Sequence, residues 1–190
     1  EYSETLDVNG LSGTGSSTSY FRISSNQTGV ANFPTIKGTS GHVITINEQY
    51  SQVGPELIIH QNGTGTSDEG IRISSGGDYS LITKSVIKGD WNGSTGGASD
   101  QDGIYVGSWG VDGLYIDNCV IYGFRRSAID MQVYSGISND VTLNVDHCTV
   151  YNMTEGGEPH GGGITLYSTS ALSTIDATIY NTLVIEDGSR

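Results

Sequence analysis

The chain is poor in positive charge: eight Lys and Arg stand against 21 Asp and Glu, a formal net charge of −13 with a pI near 4.3. Such a surface repels phosphate backbones and anionic lipid, which excludes nucleic acid as a partner and argues against a membrane surface. No run of 18 apolar residues occurs, so no helical membrane insertion is expected. No stretch of ten or more residues carries apolar positions at i, i+3, i+4 and i+7, so long helices are not expected either. The two cysteines, Cys119 and Cys148, are too few for a disulfide scaffold and lack zinc-site spacing. There is no initial Met and no signal peptide, and the chain stops just after an apolar run, so it reads as a mature or excised segment of a larger protein.

Glycine is plentiful instead, 28 of 190 residues, and with Ser, Thr and Asn it fills the gaps between short apolar runs. That is the composition of many short strands joined by turns. One phrase recurs. "LYIDNCVIYG" begins at Leu114 and "LNVDHCTVYN" at Leu143, and their cysteines lie 29 residues apart. Steps of 34 residues lead back from Cys119 to Ser85, in "LITKSVIKG", and forward from Cys148 to Thr182, in "ATIYNTLVIED". This alignment sets Ile82, Ile116, Val145 and Ile179 in one column, and Ile87, Ile121, Val150 and Val184 in another. A second series, "GIRIS", "GIYVG", "AIDMQ" and "GITLY", starts at Gly70, Gly103, Ala128 and Gly163.

Each unit therefore holds a Gly-Ile strand and then a phrase split by a bend at Asn118 or His147, three strands in all. Unit length varies while the strands stay aligned, as in a chain that coils so that equivalent strands stack. The expectation is an all-β fold: one domain over residues 1–190, a single-stranded right-handed parallel β-helix of about six coils. A β-sandwich also uses short strands and Gly-rich turns, but leaves the aligned repeats unexplained. The long non-repeating stretches 90–102 and 152–162 fall at the same point of the unit and should project from one face.

The "GI" strand followed by I-D-N-C-x-I-Y, with the opening "EYSETLDV", "FPTIKG" and "HVITI", resembles the parallel β-helix repeats of the pectate-lyase-like superfamily over essentially the whole chain. That resemblance implies the coiled fold. It leaves the activity open, because the superfamily spans polysaccharide lyases, glycoside hydrolases, epimerases, phage tailspikes and surface adhesins. The Asn-Thr-Asp, Gly-His-Gly and Arg-Ile-Lys motifs of polygalacturonases are missing, and "EPHGG" bears only a faint similarity to the Asp-Pro-His motif of mannuronan epimerases.

The columns suggest roles. Cys119 and Cys148 should be stacked core thiols beside Ser85 and Thr182, near enough that a disulfide is allowed by distance alone. Asn118, His147 and Asn181 suit a bend at positive φ, with stacked amides bonding along the axis. Asp117 and Asp146 should stack outward, as a solvated acidic face or bridged by a cation, and Ca2+ is the one ion implied, with no cofactor required. Tyr122 and Tyr151, preceded by Lys88, should form an outward strip able to meet sugar rings or a neighbouring subunit. Trp91, Trp109, Tyr105 and Tyr167 would extend that surface. Asp100, Asp102, Glu158 and His160 form the only candidate catalytic set, with Arg125 or Arg126 available to neutralise a uronate carboxylate.

With lyase and hydrolase motifs missing, the leading expectation is a non-catalytic module outside the cell or on a virion surface. It would be part of a phage fibre, decoration or tail protein, or an adhesin, that binds a polysaccharide or cell-surface glycan or assembles with itself or virion proteins. The alternatives are a lyase or hydrolase of acidic polysaccharide and a purely architectural filament subunit.

Overall fold

The computed structural model describes residues 6–7, 21–23, 33–63, 65, 67–90, 101–107, 110–134, 140–151 and 162–185. All regular structure among them is β, and no helix occurs there, so none is long and apolar enough to cross a membrane. In chain order the strands come in threes. The first three are β1 (Leu6–Asp7), β2 (Phe21–Ile23) and β3 (Thr35–Gly38). Then follow β4 (Ile44–Ile46), β5 (Ser51–Val53), β6 (Ile58–Gln61), β7 (Ile71–Ile73), β8 (Leu81–Thr83) and β9 (Val86–Gly89). Next are β10 (Asp102–Val106), β11 (Leu114–Asp117), β12 (Val120–Tyr122), β13 (Ser127–Val133), β14 (Val141–Asp146) and β15 (Thr149–Tyr151). The last three are β16 (Gly162–Ser168), β17 (Ile175–Tyr180) and β18 (Leu183–Ile185).

Every strand pairs in parallel with the strand three places on, giving three six-stranded sheets that begin at β1, β2 and β3. The chain is a β-solenoid, and its four turns from β4 to β15 are paired on both sides. The columns read from the repeat are the observed register: Ile82, Ile116, Val145 and Ile179 are neighbours, as are Ile87, Ile121, Val150 and Val184. In the first sheet Ile44, Ile71, Ile104, Ile129 and Ile164 form the third column. Wherever a turn lies between two others these side chains are fully buried, each contributing about 1.5–3 kcal/mol.

Local chemistry explains the two phrases. In the "GI" phrase the glycine sits where the first sheet meets the third. A Cβ on Gly103 would lie 2.5 Å from Ile121 Cγ2 and 2.6 Å from the Ala128 carbonyl oxygen, and one on Gly163 would lie 2.4 Å from Val184 Cγ1. In the other phrase the bend residues Lys84, Asn118, His147 and Asn181 all have φ between 47° and 51°. The residue after each bend then returns a side-chain donor to the carbonyl two residues back. Ser85 Oγ reaches Thr83 O at 2.9 Å, Cys119 Sγ reaches Asp117 O at 3.3 Å, Cys148 Sγ reaches Asp146 O at 3.2 Å and Thr182 Oγ1 reaches Tyr180 O at 3.0 Å. Ser, Cys and Thr share this column because each is a small donor. Both cysteines are free, buried thiols, and the hydrogen bond to Cys148, with burial, pushes the Cys119 thiol up.

One expectation about the bend differs from the structure. The bend side chains bond to the acidic column rather than to each other: Asn118 Nδ2 donates to Asp117 Oδ1 at 2.7 Å, and Asn181 Nδ2 to Asp146 Oδ1 at 3.3 Å. A carboxylate is a stronger acceptor than a neighbouring amide, so it captures the donors. The stretches 91–100 and 152–161, which hold most of the two expected loops, lie outside the described residues.

The glycine contacts make a direct test. Gly103→Ala should destabilise the protein by about 1–3 kcal/mol through overpacking. Gly107→Ala, whose added Cβ would meet nothing closer than 3.7 Å, should change stability by less than about 1 kcal/mol. Urea unfolding midpoints of the two variants measure the difference, and equal midpoints would remove the packing explanation of the phrase.

Candidate functional site

The richest polar constellation lies on the outer face of the first sheet. Register sets Thr45, Arg72, Tyr105, Asp130 and Thr165 in one outward column, and Gln132 beside Tyr167 in the next. Tyr105 is the centre. The guanidinium carbons of Arg72 and Arg126 lie 5.5 and 5.7 Å from its ring centroid, within cation–π range. Its hydroxyl is 3.5 Å from Gln132 Oε1, which also accepts from Tyr134 Oη at 2.7 Å. Tyr134 is 40% exposed and meets Tyr167 edge-on, ring centroids 6.1 Å apart at 72°. The structure thus brings together two of the expected aromatic residues, Tyr105 and Tyr167, and adds Tyr134 and Gln132.

Carboxylates buried around this face hold its cations. Arg126 Nε donates to Asp102 Oδ1 at 3.1 Å, its Nη2 pairs with Asp102 Oδ2, and the same Nη2 lies 2.7 Å from Asp130 Oδ2. Asp102 Oδ1 also accepts the Ser127 backbone N–H at 3.0 Å, and Gln132 Nε2 donates to Asp130 Oδ2 at 2.6 Å. On the other side, Arg72 Nη1 reaches His42 Nε2 at 3.1 Å, and His42 Nδ1 pairs with buried Glu69 Oε2. Since arginine only donates, His42 Nε2 accepts and its Nδ1–H faces Glu69. Arg72 and Arg126 are each fixed from behind, with Tyr105 between their rungs.

Asp102 opens β10 rather than sitting in a loop, is fully buried, and receives three donors, so its carboxylate holds Arg126. Burial pushes its carboxyl up to about 7 against the hydrogen bond and charge of Arg126, and the Asp130 and Glu69 carboxylates push the same way as burial. Burial is also the first cause of the raised Tyr105 hydroxyl, helped by Asp130 and opposed by the two arginines. The role expected for Arg125 or Arg126 changes accordingly: Arg126 already serves two carboxylates, and Arg125 is buried. Asp100, Glu158, His160, Trp91 and Trp109 lie outside the described residues.

Two further columns were expected to carry chemistry. Tyr122 and Tyr151 stack, centroids 4.7 Å apart and 10° from parallel, following Lys88 in the register. Each ring covers one face of the other, and both tyrosines are half-buried. Asp117 and Asp146 are register neighbours, and with His147 they form the group among the described residues able to hold a metal, ligand atoms within 4.8 Å of one another. Each carboxylate already has partners: Thr83 Oγ1 at 3.1 Å on Asp117, and His147 Nδ1 at 2.6 Å on Asp146. Partial burial raises the Asp146 carboxyl, but hydrogen bonds from His147, Asn181 and Tyr180 outweigh it and hold the group below the ordinary carboxylate range. Ca2+ takes six to eight oxygens, more than two carboxylates and an imidazole offer.

The residues not anticipated fall into two groups, and Arg72, an alternate position of "GIRIS", belongs with the first. Asp130, Gln132 and Tyr134 alternate along "IDMQVY", the period-two polar face of a strand, and that pattern was readable. His42 and Glu69 precede their strands in turns, and only the fold brings them to Arg72. Compared with protein families, curated proteins and solved structures, the chain matches none.

The buried carboxyl gives a pH dependence of defined sign. Folding raises the Asp102 pKa from an ordinary value near 4 to about 7, so the folded chain holds this proton more tightly than the unfolded chain. Its stabilising contribution is complete below about pH 4 and is lost as pH rises through 7, roughly 1–4 kcal/mol in all. Urea midpoints should therefore fall between pH 5 and 8, and Asp102→Asn should flatten that fall. The same slope in both proteins would contradict the assignment.

Proposed function

We propose that this chain is a non-catalytic glycan-binding module displayed outside the cell or on a virion surface, built as a right-handed parallel β-helix of six coils of the pectate-lyase-like type. Six strands in each sheet support the coil number, and the strong preference of parallel crossovers supports the hand. The observation that carries the function is the grouping of Tyr105, Tyr134 and Tyr167 around Gln132, flanked by Arg72 and Arg126. Sugars offer C–H faces to aromatic rings and hydroxyls to amides and guanidinium groups, and this face supplies both in side chains locked by buried partners. Arg72 meets His42 and Tyr105 rather than a carboxylate among the described residues, so an anionic sugar has a cation to approach. Ca2+ at Asp117 and Asp146 would be accessory, completed by water or by the sugar's own oxygens.

The competing reading, a lyase or hydrolase, draws on the Asp102 carboxyl near pH 7. That group faces Arg126 and the Ser127 amide, and an acid or base must reach the proton it transfers. Binding without turnover is the better account of a carboxyl so enclosed.

Glycan-array binding, followed by titration calorimetry with the best ligand, tests the proposal. Tyr134→Ala with Tyr167→Ala should weaken binding by about tenfold or more, near 0.5–1.5 kcal/mol per ring, and leave the unfolding temperature within a few degrees of wild type. Absence of wild-type binding across acidic and neutral glycans would sink the idea. Appearance of unsaturated uronate or new reducing ends with wild type, but not with Asp102→Asn, would transfer the case to the enzyme reading.

A further inference from the structure

Positive charge is scarce on this chain, and it is not spread evenly. There are three lysines, and two of them, Lys37 and Lys88, stand in one column of the third sheet with His60 between them. The column runs on through Tyr122 and Tyr151. Each of these residues follows a core position of its strand, so strand alternation turns it outward. The outward column beside it is Thr35, Ile58, Val86, Val120 and Thr149. Neither column contains an acid, although the chain carries 21 Asp and Glu.

The coil does not need this arrangement. Like charges stacked along a sheet oppose its stability, and a mixture of signs would serve the ladder better. Lys37 and Lys88 are two strand spacings apart, roughly 10 Å, near enough to repel. Among the described residues Lys88 forms no ion pair. His60 is held in place between the lysines, its Nε2 donating to Asp90 Oδ1 at 2.7 Å from the rim of the face. The lysine stems are half-buried against their neighbours, which leaves the ammonium groups as the part that meets solvent.

An extended polyanion laid along the coil axis would meet one side chain of this column per turn, roughly every 4.8 Å. A net charge of −13 opposes a nucleic-acid duplex, which presents its phosphates over a wide area, whereas a single glycan chain fits within one face. The aliphatic column of Ile58, Val86 and Val120 gives the C–H faces of sugars an apolar surface. The kind of cation indicates the kind of anion. An ammonium acts as a point charge with rotatable donors and suits a tetrahedral anion, while a planar carboxylate is best matched by the arginine fork that both columns lack.

We infer that the outer face of the third sheet binds a sulfated glycan chain lying along the coil axis, with sulfate half-esters on Lys37 and Lys88 and sugar faces on the aliphatic column. The choice of a glycan rests on the reading above, but the residues are separate from those around Tyr105, so the two surfaces can fail independently.

Immobilised dextran sulfate, carboxymethyl-dextran of matched charge and plain dextran present one backbone with three chemistries. The full chain should bind dextran sulfate, bind carboxymethyl-dextran about fivefold more weakly or less, and ignore dextran. Salt at about 1 M, where the screening length is near 3 Å, should abolish the binding. Lys37→Glu and Lys88→Glu should each weaken it by about fivefold and together by about tenfold or more, with urea midpoints close to wild type. Lys84→Glu makes the same change in net charge on an exposed bend outside this face and should cost less than about twofold. Tyr134→Ala with Tyr167→Ala should leave dextran sulfate binding intact. A glycan array without hits, beside dextran sulfate binding that needs Lys37 and Lys88, would remove the first-sheet site and keep this one. The inference is overturned by no binding of dextran sulfate at low salt, by equal affinity for carboxymethyl-dextran, by Lys84→Glu as damaging as Lys88→Glu, or by loss of binding in the tyrosine variant.

Discussion

The structure depends on the parallel register of one turn on the next. Because every strand pairs with the strand three places on, a residue's neighbour along the axis is its own equivalent in the repeat. Each column must then be filled by residues that tolerate stacking on their own kind. Isoleucine and valine do so in the core, where a branched side chain packs above and below with little rotamer freedom to lose. The sequence repeats because the lattice repeats, and it departs from repetition where a column reaches the surface or where a turn leaves the ladder.

The same constraint explains substitutions that chemistry by type would not group. Ser85, Cys119, Cys148 and Thr182 share one column as donors to the carbonyl before the bend, which removes any need to give the thiols a reactive role. Lys84, Asn118, His147 and Asn181 share another because the backbone there is left-handed, a region in which Asn and His are enriched and Lys is not. Their side chains then answer to local partners, and His147 turns to Asp146. At the corner between sheets the limit is space, and Gly70, Gly103, Ala128 and Gly163 show that nothing larger than a methyl group has been admitted.

Legibility in the sequence follows from this. The fold was readable because identical columns leave a periodic trace, and the spacings of 29 and 34 residues match the register of the second and third sheets. The outer face of the first sheet was only half readable. Tyr105 and Tyr167 stood out as aromatic residues, but nothing in the chain shows that Arg126 clasps Asp102, 24 residues away, or that His42 meets Arg72, 30 residues away. Such partners vary in spacing because they lie in the turns, where the unit length changes. Asp102 illustrates the loss: as a letter beside Asp100 it resembles a catalytic acid, and only its burial and its three donors make it the anchor of an arginine.

On the outer face of the first sheet, polar and aromatic residues replace one another along the axis, from Thr45 to Arg72 to Tyr105 to Asp130. A solenoid gains nothing from such variety, since any outward residue of good β-propensity would serve the ladder. Burying the carboxylates of Glu69, Asp102 and Asp130 to hold two arginines beside one tyrosine opposes stability unless each is fully paired. An arrangement that the ladder does not require and that stability alone does not favour is best understood through what it presents outward: a rigid pair of guanidinium groups and a cluster of tyrosines.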